Sequence, residues 1–161
     1  MGAVILMKRV GILSAVILLL LIGLSGMAGA QEASCESVIA DVSARLPSGI
    51  DQPELIEVLR TLNHTGNRKL PPKFVTKREA RSRGWKPGRS LWSVDGLRGA
   101  SIGGDPFRNL EGRLPDGKWR EADLDYKGGR RGGKRLVYAR DGRRFVTVDH
   151  YNIFVEIPPC R

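Results

Sequence analysis

Residues 134–149 read KRLVYARDGRRFVTVD, and this stretch has the form of a β-hairpin. Two runs rich in aromatic and β-branched residues, 134–139 and 144–149, flank the dipeptide Asp141-Gly142. Asp-Gly favours the tight type I′ turn, because that turn requires a positive φ at both central residues. We therefore predict two antiparallel strands joined at Asp141-Gly142.

Three further segments of the C-terminal half have the composition of short strands. With the hairpin, they predict strands at residues 100–105, 119–126, 134–139, 144–149 and 151–157. The N-terminal half has helical periodicity instead, with apolar residues three and four positions apart within residues 33–46.

Two capping patterns place the other helices. Asp51 can cap a second helix with Pro53 in its first turn, and Thr76 and Glu79 have the spacing of a capping box. The polar residues 63–72 are predicted to form a loop. Together these elements indicate an α+β fold, with N-terminal helices packed on one face of a C-terminal antiparallel β-sheet of about five strands.

The first thirty residues have the pattern of an export signal. Lys8 and Arg9 precede an apolar run at residues 10–24, and Ala28-Gly29-Ala30 is a small-residue cleavage site. We interpret residues 1–30 as a signal peptide and residues 31–161 as a single secreted domain, without stable membrane association after cleavage. The apolar run approaches the length of a membrane span, so an uncleaved anchor is the alternative.

The charge and the cysteines narrow the class of protein. The net charge is +10, which favours a polyanionic partner, although a solvated basic surface would have the same composition. Cys35 and Cys160 are the only cysteines, and an even pair in an exported protein predicts one disulfide. The sequence has no metal-ligand cluster, P-loop or serine triad, so no metal or cofactor is predicted.

Acidic residues alternate along one predicted strand. A period of two within residues 119–126 places Glu121, Asp123 and Asp125 on the same face. An acidic strand face in so basic a chain is either a solvated surface or part of a functional site.

Basic residues also occupy informative positions. Arg131 and Arg135 are four residues apart, so an extended chain would place them on one face. Lys77 falls in the first turn of a predicted helix, where a cation opposes the helix dipole, and such choices are common at functional sites. His150 follows a strand, whereas His64, the other histidine, falls in the predicted polar loop.

The order and spacing of several motifs resemble the barnase-like ribonucleases, a family of secreted bacterial enzymes that prefer guanine. The resemblance is strongest over residues 50–157. Its motifs are Leu70-Pro71, Thr76-Lys77, Glu79-Ala80, Gly84-Trp85, Ser101-Ile102-Gly103-Gly104-Asp105, Asn109, Glu111-Gly112, Leu114-Pro115, Trp119-Arg120-Glu121-Ala122-Asp123 and Asp149-His150-Tyr151.

The resemblance implies cleavage of single-stranded RNA after guanine, through a 2′,3′-cyclic phosphate and without a metal. Glu121 would be the general base and His150 the general acid. Lys77, Arg131 and Arg135 would bind the phosphate and stabilise the transition state.

The family pattern also assigns supporting and base-binding residues. Asp105 would be the partner of Lys77, and Asp123 would pair with the two arginines. The residues expected to bind guanine are Phe107, Arg108, Asn109, Glu111 and Tyr151. Among them, Glu111 would accept hydrogen bonds from the guanine N1–H and N2–H groups.

This chain departs from the family pattern at two positions of residues 107–111, which we call the guanine segment. Leu110 replaces an arginine of the relatives, and Arg108 replaces a serine of barnase. The positive charge of this segment has therefore moved by two residues, which affects the expected guanine preference and inhibitor recognition.

Two other classes of protein have the same charge and aromatic content. One is a catalytically silent module that binds RNA or another polyanion, and the other is a membrane-anchored interaction protein. The ribonuclease interpretation further implies a monomer, single-stranded RNA as its substrate and an acidic, barstar-like inhibitor in the cytoplasm.

Overall fold

Six strands form one sheet whose spatial order follows the chain. The computed structural model describes residues 32–161, so the predicted signal peptide lies outside the described residues. The strands are β1 Phe74–Val75, β2 Ser101–Phe107, β3 Trp119–Asp123, β4 Arg135–Ala139, β5 Arg144–Thr147 and β6 Val155–Glu156. Strand β1 runs parallel to β2, and every other neighbouring pair is antiparallel.

Within residues 32–161, three α-helices precede or interrupt this sheet. They are α1 Cys35–Ala44, α2 Gln52–Thr65 and α3 Lys77–Ser82. The predicted caps are confirmed, because Asp51 accepts from the Glu54 N–H, and Thr76 and Glu79 form a complete capping box. Helix α2 runs further than expected, so His64 lies in its last turn and the prediction of a loop at this residue was wrong.

The core explains why the helices lie on one face of the sheet. Buried apolar residues of α1 and α2 pack against Leu136, Tyr138 and Val146, which alternate with residues of the opposite face. That opposite face carries Glu121 and Val137 at a paired position of β3 and β4. The α+β prediction is therefore confirmed, and the face without α1 and α2 is left for a functional site.

The prediction of about five strands was one short. Strand β1 pairs Phe74 with Ser101 and Val75 with Ile102, and two residues are too few to show alternation in a sequence. Other strand limits also differ. Strand β2 continues to Phe107, whereas the strand predicted at 151–157 contains only Val155–Glu156.

The predicted acidic face ends earlier than expected. Strand β3 stops at Asp123, and Asp125 has a φ of +56°, so the alternation does not continue to it. Asp125 instead accepts hydrogen bonds from the Asp51 N–H and the Lys134 ammonium. Only Glu121 and Asp123 remain together on the face away from α1 and α2.

The predicted disulfide is present and connects the two ends of the described chain. Cys35 and Cys160 form the bridge, and both residues are buried. The Cys35 N–H donates to Arg161 O, and the Arg161 N–H donates to Ala33 O, each at 3.1 Å. Within residues 32–161, every helix is too short or too polar to cross a membrane.

Candidate active site

The carboxylate of Glu121 lies at the centre of the candidate site. Glu121 is only 6% exposed. Its Oε1 accepts from Lys77 Nζ at 2.7 Å, and its Oε2 accepts from the Tyr151 hydroxyl at 2.6 Å. Strand β3, the first turn of α3 and the segment after β5 therefore meet at one carboxylate, and both of its oxygens are held in place.

The protonation states of Glu121 and Tyr151 follow from their contacts. Burial raises the pKa of Glu121, but the hydrogen bonds from Lys77 and Tyr151 outweigh burial, and the net pKa lies below the ordinary glutamate value. Burial and the neighbouring Glu121 carboxylate raise the pKa of Tyr151 to about 12. At neutral pH Glu121 is thus an ionised acceptor and Tyr151 a protonated donor.

Asp123 holds two arginines beside Glu121. Asp123 is 2% exposed, and both of its oxygens accept from Arg131, with Arg131 Nη2 2.7 Å from Oδ1. Arg135 Nε lies 2.9 Å from the same Oδ1 without hydrogen-bond alignment, so this contact is an ion pair. Two guanidinium groups share one buried carboxylate, which leaves a net positive charge at this edge of the site.

His150 and Tyr151 follow β5 in an unusual backbone conformation. Their φ values are +58° and +69°, a left-handed conformation that costs free energy for residues other than glycine. Asp149 stabilises the turn by accepting from the Asn152 and Ile153 N–H groups. The turn aims Tyr151 at Glu121 and leaves the His150 side chain exposed.

The His150 ring packs against the loop that carries the arginines. The His150 N–H donates to Gly133 O at 3.2 Å, and a Cβ atom on Gly133 would lie 2.5 Å from His150 Nδ1. Gly133 lies between Arg131 and Arg135 in the sequence. Because glycine has no Cβ atom, it leaves room for the His150 imidazole.

The predicted pairing of Lys77 with Asp105 was wrong for the side chain. Asp105 accepts from the Lys77 backbone N–H at 2.8 Å, whereas the Lys77 ammonium binds Glu121. Asp105 and Glu121 face each other across β2 and β3, beside a bulge at Gly104, which has a φ of +91°. Asp105 thus fixes the start of α3, and α3 in turn aims Lys77 at Glu121.

A cavity of about 190 Å³ adjoins this cluster at Tyr151. Phe107 stacks on Tyr151 with ring centroids 5.2 Å apart, and Phe154 packs on both rings. The other residues around the cavity are Arg108, Asn109, Leu110, Glu111 and Arg113. It is an aromatic cavity with one carboxylate at its rim, which suits a flat, nitrogen-rich ring.

The segment beside this cavity is held in a compact turn. Asn109 has a φ of +46°, and its side chain both donates to Leu114 O and accepts from the Leu114 N–H. Asn109 is predicted to contact the base through its backbone, and its side chain holds the turn in place. Glu111 is 71% exposed and binds Arg113 Nε at 2.7 Å, and Leu110 is 85% exposed.

Comparison with known sequences identifies the family of the chain. The sequence model of one family, described as ribonuclease, matches residues 59–158. The chain belongs to the ribonuclease family. The predicted resemblance to microbial ribonucleases is therefore confirmed.

Several curated ribonucleases are similar to this member of the family. A ribonuclease of Bacillus pumilus is 34% identical over 139 residues, which cover 79% of this chain and 85% of the relative. A ribonuclease of Heyndrickxia coagulans is 44% identical over 94 residues, covering 56% of this chain and 84% of the relative. A ribonuclease of Bacillus intermedius is also 44% identical over 94 residues, covering 56% of this chain and 57% of the relative.

Three residues of the candidate site were missed by sequence reasoning. Arg113 bridges Glu111 to the Asn152 carbonyl, Phe154 completes the aromatic cavity, and Gly133 accommodates His150. None of them belongs to a periodic pattern, since all three lie in loops, so nothing local indicated their contacts.

Within residues 32–161, no three His, Cys, Asp or Glu side chains are grouped as a metal site.

Proposed function

We propose that the protein is an extracellular endoribonuclease that cleaves single-stranded RNA, preferentially after guanine, by transesterification and without a metal ion. The observation that carries this proposal is the ionised, buried Glu121 held by Lys77 and Tyr151 beside two arginines on Asp123. The reaction requires a base, an acid and several cations. The cluster supplies the base and the cations, and His150, on the turn that also carries Tyr151, is the candidate acid.

The first step forms a cyclic phosphate. Glu121 takes the proton of the ribose 2′-OH, and the 2′-oxygen attacks phosphorus to form a new P–O2′ bond. The P–O5′ bond breaks as His150 gives its proton to the leaving 5′-oxygen. In the second step His150 takes a proton from water, and the water oxygen attacks phosphorus to form a new P–O bond. The P–O2′ bond breaks as Glu121 returns its proton to the leaving 2′-oxygen.

The cations offset the charge that accumulates on the phosphorus oxygens. Arg131 and Arg135 are already fixed by Asp123, so they need little reorganisation when the substrate binds. The Lys77 ammonium neutralises Glu121 in the free protein. When Glu121 takes the substrate proton, its attraction for Lys77 falls, and the ammonium becomes available to the phosphate.

The aromatic cavity supplies the guanine preference in this proposal. The Glu111 carboxylate would accept from the guanine N1–H and N2–H, a pair of donors that adenine lacks. Phe107 offers a stacking surface, and the backbone of residues 107–110 offers further contacts. Tyr151 supports the ring of Phe107, while its hydroxyl serves Glu121.

The proposal also includes secretion of the enzyme and a cytoplasmic inhibitor that protects the producing cell. The Cys35–Cys160 disulfide is typical of oxidising compartments outside the cytoplasm. Because an active ribonuclease would damage the RNA of the producing cell, we expect an acidic, barstar-like cytoplasmic inhibitor to cover the cluster around Arg131 and Arg135. We also expect the enzyme to act as a monomer.

Cleavage of defined substrates tests the proposed reaction. Purified protein is expected to cleave single-stranded RNA equally with and without a chelator, to yield a 2′,3′-cyclic phosphate and to leave DNA intact, because DNA lacks the 2′-OH. Loss of activity in chelator that a divalent ion restores would contradict the mechanism. RNA binding without any cleavage would instead support the silent binding module.

Dinucleoside phosphates that differ only in the 5′ base test the guanine proposal. Glu111→Gln is expected to lower kcat/KM for guanylyl substrates by about tenfold or more and to change adenylyl substrates much less, because an amide accepts through one oxygen only. Leu110→Arg is expected to favour guanylyl over adenylyl substrates. Equal changes for both substrates would show that these residues act through general charge alone.

A further inference from the structure

Another cavity, of about 570 Å³, adjoins the guanine segment, and three of the side chains that line it are basic. We name it the cationic cleft and define it by Arg108, Lys118 and Arg120; Pro106 and Trp119 also line it. Phe107, Arg108 and Leu110 line both this cleft and the aromatic cavity, so the two are separated only by the guanine segment.

The strand register explains why three cations converge there. Strands β2 and β3 pair Pro106 with Arg120 and Phe107 with Trp119, so Arg108 and Lys118 come next at the end of this ladder. Lys118 and Arg120 are two residues apart and therefore share one face. Like charges at neighbouring cross-strand positions are unfavourable, and such a violation of local rules is expected at a binding site.

These cations also lack the counter-ions that their neighbours have. Lys77, Arg113, Arg131 and Arg135 each form an ion pair with a carboxylate. Within residues 32–161, Arg108, Lys118 and Arg120 form none, and Arg120 donates only to the Gly104 carbonyl. Among residues 32–161, the cleft therefore holds three positive charges that form no ion pair with a carboxylate.

We infer that the cationic cleft binds the RNA phosphate on the 5′ side of the guanosine that occupies the aromatic cavity. This inference rests on the proposed function. The exposed Leu110 lies on the path between the two cavities, and it supplies an apolar surface for the ribose that joins them. Compared with the family pattern, Leu110 removes a positive charge beside the guanine base. Arg108 adds one beside the RNA on the 5′ side of the guanosine.

The test compares substrates that differ only by a 5′-phosphate. With wild-type protein, 5′-phosphorylated guanylyl-uridine is expected to have a kcat/KM about tenfold above that of guanylyl-uridine, mainly through a lower KM. Lys118→Met is expected to abolish most of this ratio, and Lys118→Arg to retain it. Arg140→Met, which removes one exposed cation from the β4–β5 turn, is the matched control and is expected to keep the ratio.

Binding of 2′-deoxyguanylyl-uridine, with and without the 5′-phosphate, gives the same comparison without turnover. A wild-type ratio near one, a ratio unchanged by Lys118→Met, or an equal loss in Arg140→Met would each overturn the inference. In those outcomes, guanine-specific cleavage by the wild type would leave the proposed function standing. A tighter-binding 5′-phosphorylated analogue together with absent cleavage would support the cleft and contradict the proposed activity.

Discussion

Glu121→Ala and His150→Ala are each expected to lower kcat on a guanylyl dinucleotide by about 10²–10⁴-fold. The reason is that each variant lacks one partner of the proton transfer, while the arginines on Asp123 and the aromatic cavity are retained. Both variants are expected to fold, since the Glu121 carboxylate binds polar groups of Lys77 and Tyr151 outside the core that packs α1 and α2, and His150 is exposed. Steady-state kinetics and thermal unfolding of the same samples would test this.

His64→Ala is the matched control for the histidine. His64 is exposed in the last turn of α2, on an element that packs against the other face of the sheet. Its removal is expected to leave kcat unchanged within about twofold, as for most exposed residues. Near-normal turnover in Glu121→Ala or His150→Ala would show that the assigned acid and base are wrong.

The pH profile follows from the environment of Glu121. A general base must be ionised, so kcat/KM is lost as the pH falls through the pKa of Glu121 in the free enzyme. Burial raises this pKa, but the hydrogen bonds from Lys77 and Tyr151 lower it by a larger amount. The midpoint of the acidic limb is therefore expected at a pH below 4.5, the ordinary pKa of glutamate. Tyr151→Phe removes one of these hydrogen bonds and should move the limb upwards. An unchanged limb would argue against Glu121 as the base.

Local patterns in the sequence were sufficient for most elements and for part of the site. Helix caps at Asp51 and Thr76 and the hairpin at Asp141-Gly142 depend on neighbouring residues, so they could be read directly. Alternation correctly placed Glu121 and Asp123 on one face. It failed at Asp125 because a single left-handed residue ends the strand, and a period of two contains no information about where it stops.

Contacts between distant segments could not be predicted in the same way. Asp105 and Glu121 are neighbours across two strands, and both come within reach of the first turn of α3. Which of them binds the Lys77 ammonium depends on the bulge at Gly104 and on the packing of α3, neither of which is a local property. Strand β1 is likewise defined only by its partner, because two residues gain strand geometry from pairing with β2.

Removal of the Cys35–Cys160 bridge is expected to lower the free energy of unfolding by about 2–5 kcal/mol. The bridge spans 125 residues, and a loop of that size lies at the upper end of the chain-entropy estimate, about 5 kcal/mol. Cys35→Ala/Cys160→Ala unfolded by urea, beside the oxidised wild type, would measure the difference. A loss below about 1 kcal/mol would contradict the prediction.

Reduced wild-type protein separates the bridge from the packing of the two side chains. Cys35 is fully buried and Cys160 nearly so, and reduction keeps both sulfur atoms in the core, whereas the double alanine variant removes them. If the covalent link is the main contribution, the reduced wild type and the variant should be destabilised by similar amounts. The hydrogen bonds between Cys35, Arg161 and Ala33, and the Asn63 side chain on Cys160 O, can hold the ends only while the rest of the protein is folded. Because Glu121 lies on the opposite face of the sheet, kcat below the unfolding transition is expected to be unchanged, and loss of activity should coincide with unfolding.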